Sequence, residues 1–199
     1  MSLKATDLRS AASDPRRVAD GAYAGSAASA PGSRGDGTIF EPGRNCRAIA
    51  TAPRVGLLVD AEDYFRTFAA AAEQARHSII ILSWDLDGRA RLRWDDAPSP
   101  PPVLGDFLNY LVKRRRSLDI YILDWDYPMV FGTDREFPPI YGLGSWSPRR
   151  RVHFEYDNTH PVGGSHHQKI VVIDDAVAFS GGLDLTARRW DTCEHKACD

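Results

Sequence analysis

A histidine and a lysine stand two residues apart, at His167 and Lys169, immediately before a run of four aliphatic residues. Side chains alternate along a β-strand, so residues two apart lie on the same face. Burying either polar group alone is costly, so packing does not explain this pair on an apolar strand. Imidazole can attack phosphorus or carry a proton near neutral pH, and an ammonium can neutralise phosphate oxygens. The pair therefore predicts a site that handles a phosphoryl group.

The residues that follow predict a tight hairpin. The aliphatic run Ile170–Ile173 is followed by the dipeptide Asp174-Asp175, a second apolar run and the paired glycines Gly181 and Gly182. This order predicts strand, turn, strand and glycine turn. The glycines would let backbone N–H groups approach an anion closely. Asp174 lies at an odd offset from the histidine, so a straight strand places it on the opposite face, where a structural role is the better interpretation.

Upstream, apolar runs alternate with helical patterns, which predicts an α/β fold: a mixed sheet flanked by helices. The predicted strands are Val55–Val59, Ser78–Trp84, Leu118–Trp125 and Val152–Tyr156, with an edge strand at Arg89–Trp94. The predicted helices are Ala61–Arg76, beginning after an N-cap at Asp60, and a second from Leu104 to Arg116. Residues 131–143 are ambiguous, because two prolines interrupt a helical pattern.

Acidic residues follow two of these strands, at Asp85, Asp87 and Asp126. Open α/β sheets place ligand groups at the carboxyl ends of their strands, which favours a functional role. Acidic side chains also cap turns, and the pattern does not decide between the two interpretations.

The composition divides the chain in two. Residues 1–37 contain few large apolar side chains and predict a disordered tail, with an interaction arm as the functional alternative. Residues 38–199 form the predicted domain, because the chain is 43% hydrophobic and 26% charged, as in soluble globular proteins.

The net charge of -2 gives no overall basic field, which argues weakly against a nucleic-acid partner. No apolar run reaches the roughly 20 residues that span a bilayer, and the N-terminus lacks the continuous apolar stretch of a secretory signal. The 3 cysteines are scattered and suggest neither a disulfide framework nor a zinc site. The expectation is a cytoplasmic protein, for which peripheral contact with a membrane remains open.

The spacing His167-x-Lys169-x4-Asp174 resembles the H-x-K-x4-D signature of the phospholipase D superfamily. The stretch from 166 to 185 is similar to the first catalytic motif of the phospholipid-cleaving branch. Residues 189–191 and 194–195 continue the same pattern, and residues 83–87 also resemble that branch. The resemblance covers about residues 38 to 199.

The resemblance implies a mechanism in two steps, without a metal or other cofactor. One histidine attacks phosphorus and forms a phosphohistidine, and a second protonates the leaving alcohol. Water or another alcohol then releases the phosphatidyl group. On this basis His167 is one of the two catalytic histidines, with nucleophile the preferred role. Lys169 binds phosphate, and Asp174 supports the motif from behind.

The resemblance implies further roles around this site. Asp184 stands where many members have asparagine, two residues after the glycine pair Gly181 and Gly182. Glu194 is in position to hydrogen-bond a ring nitrogen of a catalytic histidine and so fix its tautomer. The Gly-Gly form favours the phospholipid-cleaving branch, and so a phospholipid substrate, over the small nucleases.

The active site of this family needs two such motifs, whereas this sequence contains one. Single-motif members work as homodimers and continue further beyond the motif. The expectation is therefore the N-terminal half of a two-motif enzyme, truncated at the C-terminus, which requires a second catalytic half in the full-length protein or a dimer. The alternatives are a single-motif homodimeric phosphodiesterase or nuclease, and a catalytically inactive fragment that binds phosphate headgroups or a partner.

Overall fold

The computed structural model of the chain describes residues 39–94, 99–126, 146–161 and 163–196. The helices in these ranges are α1 (Asp60–Ala72) and α2 (Leu104–Arg114). The strands are β1 (Ser78–Ser83), β2 (Asp119–Trp125), β3 (Val152–Asp157), β4 (Ile170–Ile173) and β5 (Val177–Ser180). The predicted tail at 1–37 and the ambiguous segment at 131–143 lie outside the described residues.

The five strands form one mixed sheet in the order β3-β2-β1-β4-β5. Strand β1 is parallel to β2, and β2 is parallel to β3. Strand β4 runs antiparallel to both β1 and β5. The predicted α/β fold is confirmed. Because of these directions, the carboxyl ends of β1, β2 and β3 lie at the same edge of the sheet as the amino end of β4.

The hydrophobic core lies between the two helices and one face of the sheet. The rings of Phe68 in α1 and Phe107 in α2 meet edge to face, with centroids 6.4 Å apart. Alternate strand side chains face this core and are buried: Ile79, Ile81, Ile120, Ile122, Val171 and Ile173. On the opposite face Tyr121 is 47% exposed. The period of two along each strand thus gives a helix-covered face and a more open face.

The predicted strand at Val55–Val59 is wrong. This segment has no regular secondary structure, and Val55, Leu57 and Val59 are 85%, 76% and 55% exposed. β-Forming residues suit a half-buried pleated surface, but they do not form a strand by themselves. A strand also needs a neighbouring strand to pair with its backbone N–H and C=O groups. The predicted capping by Asp60 is not seen either, because α1 begins at Asp60 with Val59 at the N-cap position and no side-chain hydrogen bond caps the helix.

The predicted edge strand at Arg89–Trp94 is reduced to one isolated bridge between Arg91 and Val103. The Asp87 carboxylate accepts hydrogen bonds from the backbone amide of Arg89 at 2.8 Å and from its guanidinium at 2.9 and 2.8 Å. These bonds close a tight turn from Asp87 to Ala90, and the turn replaces the start of the expected strand.

The predicted hairpin is confirmed, with strands β4 and β5 joined by three residues, Asp174, Asp175 and Ala176. Asp174 and Asp175 have φ values of 50° and 53°, in the left-handed region. Turns of this kind have the twist that antiparallel strands need, and aspartate tolerates the conformation better than most residues. The hairpin therefore holds β4 in a fixed register against β1, with Leu82 opposite Ile170.

Candidate active site at the edge of the sheet

Strand pairing brings the histidine and lysine of the motif to the edge where β1 and β2 end. Because Leu82 pairs with Ile170, the preceding Lys169 comes next to Ser83, and His167 lies beyond the end of the strand. Lys169 alternates with Val171 and Ile173, so its side chain lies on the helix-covered face. His167 is exposed, whereas Lys169 is buried.

Lys169 forms a buried ion pair with Asp184. Its Nζ lies 2.9 Å from Asp184 Oδ2, and the two side chains are 6% and 5% exposed. The other oxygen, Asp184 Oδ1, accepts a hydrogen bond of 3.1 Å from the backbone amide of Trp84. The Lys169 ammonium is also 5.6 Å from the centroid of the Trp84 ring, within the range of a cation–π contact. These contacts join the lysine, aspartate and tryptophan into one unit.

His167 contacts the same tryptophan from the solvent side. The two rings meet edge to face, with centroids 5.6 Å apart. Trp84 stacks on Trp125 at 5.7 Å, and Trp125 contacts His160 at 5.7 Å. An aromatic wall therefore lies beside the candidate nucleophile, built from the ends of β1 and β2 and the loop after β3.

No functional role was predicted for Trp84 or Trp125. The signal available was their position, because each stands at the carboxyl end of an apolar strand, where ligand groups collect in open α/β sheets. The functional role was predicted instead for the neighbouring acidic residues Asp85, Asp87 and Asp126. Of these, Asp87 closes the turn with Arg89, as the capping interpretation expected, and Asp126 is exposed.

The glycine pair lies at the end of β5. The amide of Gly181 donates to the Lys169 carbonyl at 3.3 Å, so this N–H extends the hairpin. A side-chain Cβ at Gly181 or Gly182 would meet no atom within 4 Å. The space beside both glycines is therefore open.

Glu194 is exposed and forms an ion pair with Lys196. No hydrogen bond joins Glu194 to His167 within the residues that the structure describes. His166, the neighbour of the candidate nucleophile, is held instead by a contact of 3.1 Å between its Nδ1 and Gln168 Oε1. The implied role of Glu194 toward a catalytic histidine stays a prediction.

Asp174 lies at the opposite end of β4 from the site. Its carboxylate accepts hydrogen bonds from the backbone amides of Arg76, His77 and Ser78, at 2.7, 2.8 and 2.8 Å. Burial raises the pKa of the Asp174 carboxyl, but these three hydrogen bonds favour its ionised form and hold the pKa below its usual range. The side chain thus ties the hairpin turn to the connection between α1 and β1.

We expect Asp174→Ala to lower the free energy of unfolding by about 2–3 kcal/mol more than Asp175→Ala, because only the first change removes hydrogen bonds to a charged group. Both residues have left-handed backbone, so the second variant controls for the cost of alanine there. Chemical denaturation at pH 7 measures the difference. Because the folded pKa of Asp174 is depressed, its contribution is present above its unfolded pKa of about 3.9 and is lost below it. An equal loss in both variants would contradict the assignment.

Asp60 at the start of α1, together with Asp191 and His195 near the end of the described residues, could hold a metal ion. Ligand atoms of Asp60, Asp191 and His195 lie within 4.8 Å of one another, beside a cavity of about 480 Å³. His195 already contacts Asp191 at 3.0 Å and is 63% exposed. We assign this group no part in the phosphoryl chemistry.

The chain is similar in sequence to several phospholipases D. It is 31% identical over 148 residues to "Phospholipase D1" of Cricetulus griseus, 32% identical over 152 residues to "Phospholipase D zeta 1" of Arabidopsis thaliana, and 29% identical over 159 residues to "Phospholipase D A" of Dictyostelium discoideum. Each match covers 71% of this chain. No family model matches the chain.

The chain spans only 11–14% of the length of these relatives. The similarity therefore concerns a small part of each relative. Among the helices of the described residues, none has the length and apolar character needed to cross a bilayer.

Proposed function

We propose that this chain, which belongs to the phospholipase D superfamily, carries one half of a phosphodiesterase site that acts on phospholipids through a phosphohistidine. The observation that supports this most directly is that the exposed His167 ring and the buried Lys169 ammonium both contact Trp84. An accessible imidazole beside a fixed cation suits attack on a phosphorus atom.

In the first step a ring nitrogen of His167 forms a bond to phosphorus while the bond from phosphorus to the headgroup oxygen breaks. Lys169 stabilises the negative charge that gathers on the phosphate oxygens. The leaving alcohol takes a proton from an acid, for which a second histidine is the proposed group. In the second step that histidine removes a proton from water or an alcohol, which attacks phosphorus and frees His167.

The second histidine is proposed to come from another H-x-K-x4-D motif, since this sequence contains one such motif. We propose that a further part of the protein supplies it, with a second copy of this chain as the alternative. Residues 38–199 are proposed as the first catalytic half, working without a metal or cofactor. The proposed substrate lies in a membrane, so we propose peripheral contact with a lipid surface and no nucleic-acid partner.

Formation of phosphatidylethanol from phosphatidylcholine vesicles and ethanol tests this function. We expect the purified chain to be monomeric and to form none, because it contains one H-x-K-x4-D motif and so lacks the second catalytic histidine that would protonate the leaving choline. We expect the DNA after codon 199 to encode a second H-x-K-x4-D motif, and co-expression of that segment to restore the product.

Two other results would change the proposal. A dimeric chain that forms phosphatidylethanol alone would show that a second, different half is unnecessary. Cleavage of DNA without cleavage of phospholipid would support the nuclease alternative.

A further inference from the structure

We propose that Asp184 sets the charge preference of the phosphate site, so that the site accepts a singly charged phosphodiester and discriminates against a doubly charged phosphomonoester. This inference deepens the proposed function and rests on it, because it takes the phosphate to bind beside His167 and Lys169. It assigns Asp184 a part in specificity in addition to its contacts within the fold.

The first step is the charge of the site. The Lys169 ammonium would attract any phosphate, but its nearest partner is the Asp184 carboxylate at 2.9 Å. Both side chains are more than nine-tenths buried, so water and salt screen them little. The pair is formally neutral, and a phosphate beside it meets a dipole in place of an isolated positive charge.

The second step is that the carboxylate is fixed. Asp184 Oδ1 is occupied by the Trp84 amide and Oδ2 by Lys169. Trp84 is in turn held against Trp125 and contacts His167. Asp184 therefore cannot turn away when an anion approaches His167 without breaking two contacts of this unit.

The field of Asp184 also reaches beyond its lysine. Burial raises the pKa of the Tyr64 hydroxyl, and the charge of Asp184 raises it further. Tyr64 thus lies within reach of the Asp184 charge.

The third step compares the two ligand charges. A phosphate with one negative charge can bind with that charge closer to the Lys169 ammonium than to the Asp184 carboxylate, so the ion pair stabilises it. A second negative charge on the same phosphate gains little more, because Asp184 repels it while its desolvation cost rises. A phosphodiester carries one charge, whereas a phosphomonoester carries two above its second pKa, which is about 6.

Dimethyl phosphate and methyl phosphate are matched probes of one and two charges at pH 8. Titration of the full 199-residue chain, followed by amide NMR shifts, gives both dissociation constants. We expect the wild-type chain to bind dimethyl phosphate at least as tightly as methyl phosphate. Asp184→Asn keeps the shape of the side chain, and we expect it to shift the ratio toward methyl phosphate by about tenfold. Asp184→Glu keeps the charge and should retain the wild-type preference.

If the wild-type chain binds methyl phosphate more tightly than dimethyl phosphate, the inference is wrong. This measurement uses only the wild-type chain, so it does not depend on whether a variant folds. An unchanged ratio in folded Asp184→Asn would overturn the inference too. In either case the proposed function survives if His167→Ala weakens both probes. If neither probe binds the wild-type chain, the inference and the proposed phosphate site both fail.

Discussion

With bis(4-nitrophenyl) phosphate, the chain is expected to release about one equivalent of nitrophenolate per molecule and then stop, because its histidine can attack but cannot be regenerated. Nitrophenolate is a weak base and leaves without a proton from an acid. The first step therefore needs only His167 and its surroundings. Hydrolysis of the phosphohistidine needs a base to activate water, which is the role proposed for the second histidine.

The burst is measured by absorbance, and the covalent adduct by intact mass and peptide mapping at alkaline pH. His167→Ala is expected to reduce the burst rate by about a thousandfold or more and to give no adduct, as for loss of an enzyme nucleophile. His166→Ala is the matched control, because the His166 ring contacts Gln168. We expect this substitution to leave the burst unchanged. An adduct on another histidine, or a burst in His167→Ala, would show that the nucleophile is misassigned.

The hairpin that carries the motif could be predicted because its signals are local. Four aliphatic residues, a two-aspartate turn and a second apolar run specify strand, turn and strand without reference to the rest of the chain. The helices were predicted for the same reason, from apolar residues at helical spacing. Their ends differ by a few residues from the prediction, since α1 stops at Ala72 and α2 at Arg114.

Elements that depend on distant partners could not be predicted in this way. Val55–Val59 has the composition of a strand, but pairing requires a sheet edge that its own residues do not specify. The sequence of Arg89–Trp94 also predicts a strand, but the contacts between Asp87 and Arg89 form a turn at its start. In both cases a tertiary or side-chain contact overrides the β-propensity of the segment.

The same division applies to the candidate site. His167 and Lys169 stood out because their spacing is local and resembles a known motif. The bond between Trp84 and Asp184 joins residues 100 positions apart, and neither residue type predicts it. The buried lysine–aspartate pair and the aromatic wall therefore appear only when the strands are assembled.

Lys169→Met is expected to lower the free energy of unfolding by about 3–5 kcal/mol, because it leaves the Asp184 carboxylate buried without an ionic partner. The remaining Trp84 amide supplies one hydrogen bond, which is too little to offset removal of the charge from water. Lys113→Met, in the exposed last turn of α2, is the matched control and should change stability by no more than about 0.5 kcal/mol. Denaturant unfolding, monitored by tryptophan fluorescence, measures both.

The double variant Lys169→Met/Asp184→Leu separates the cost of an unpaired charge from the loss of the lysine side chain. Replacing both partners of a buried pair with apolar residues of similar size is often neutral, so we expect most of the lost stability to return. The recovered fold would lack both the ammonium and the carboxylate, and we expect it to show no burst with bis(4-nitrophenyl) phosphate. A double variant as unstable as Lys169→Met would mean that the lysine stem stabilises the protein by packing, since the charge on Asp184 would no longer be present to account for the loss.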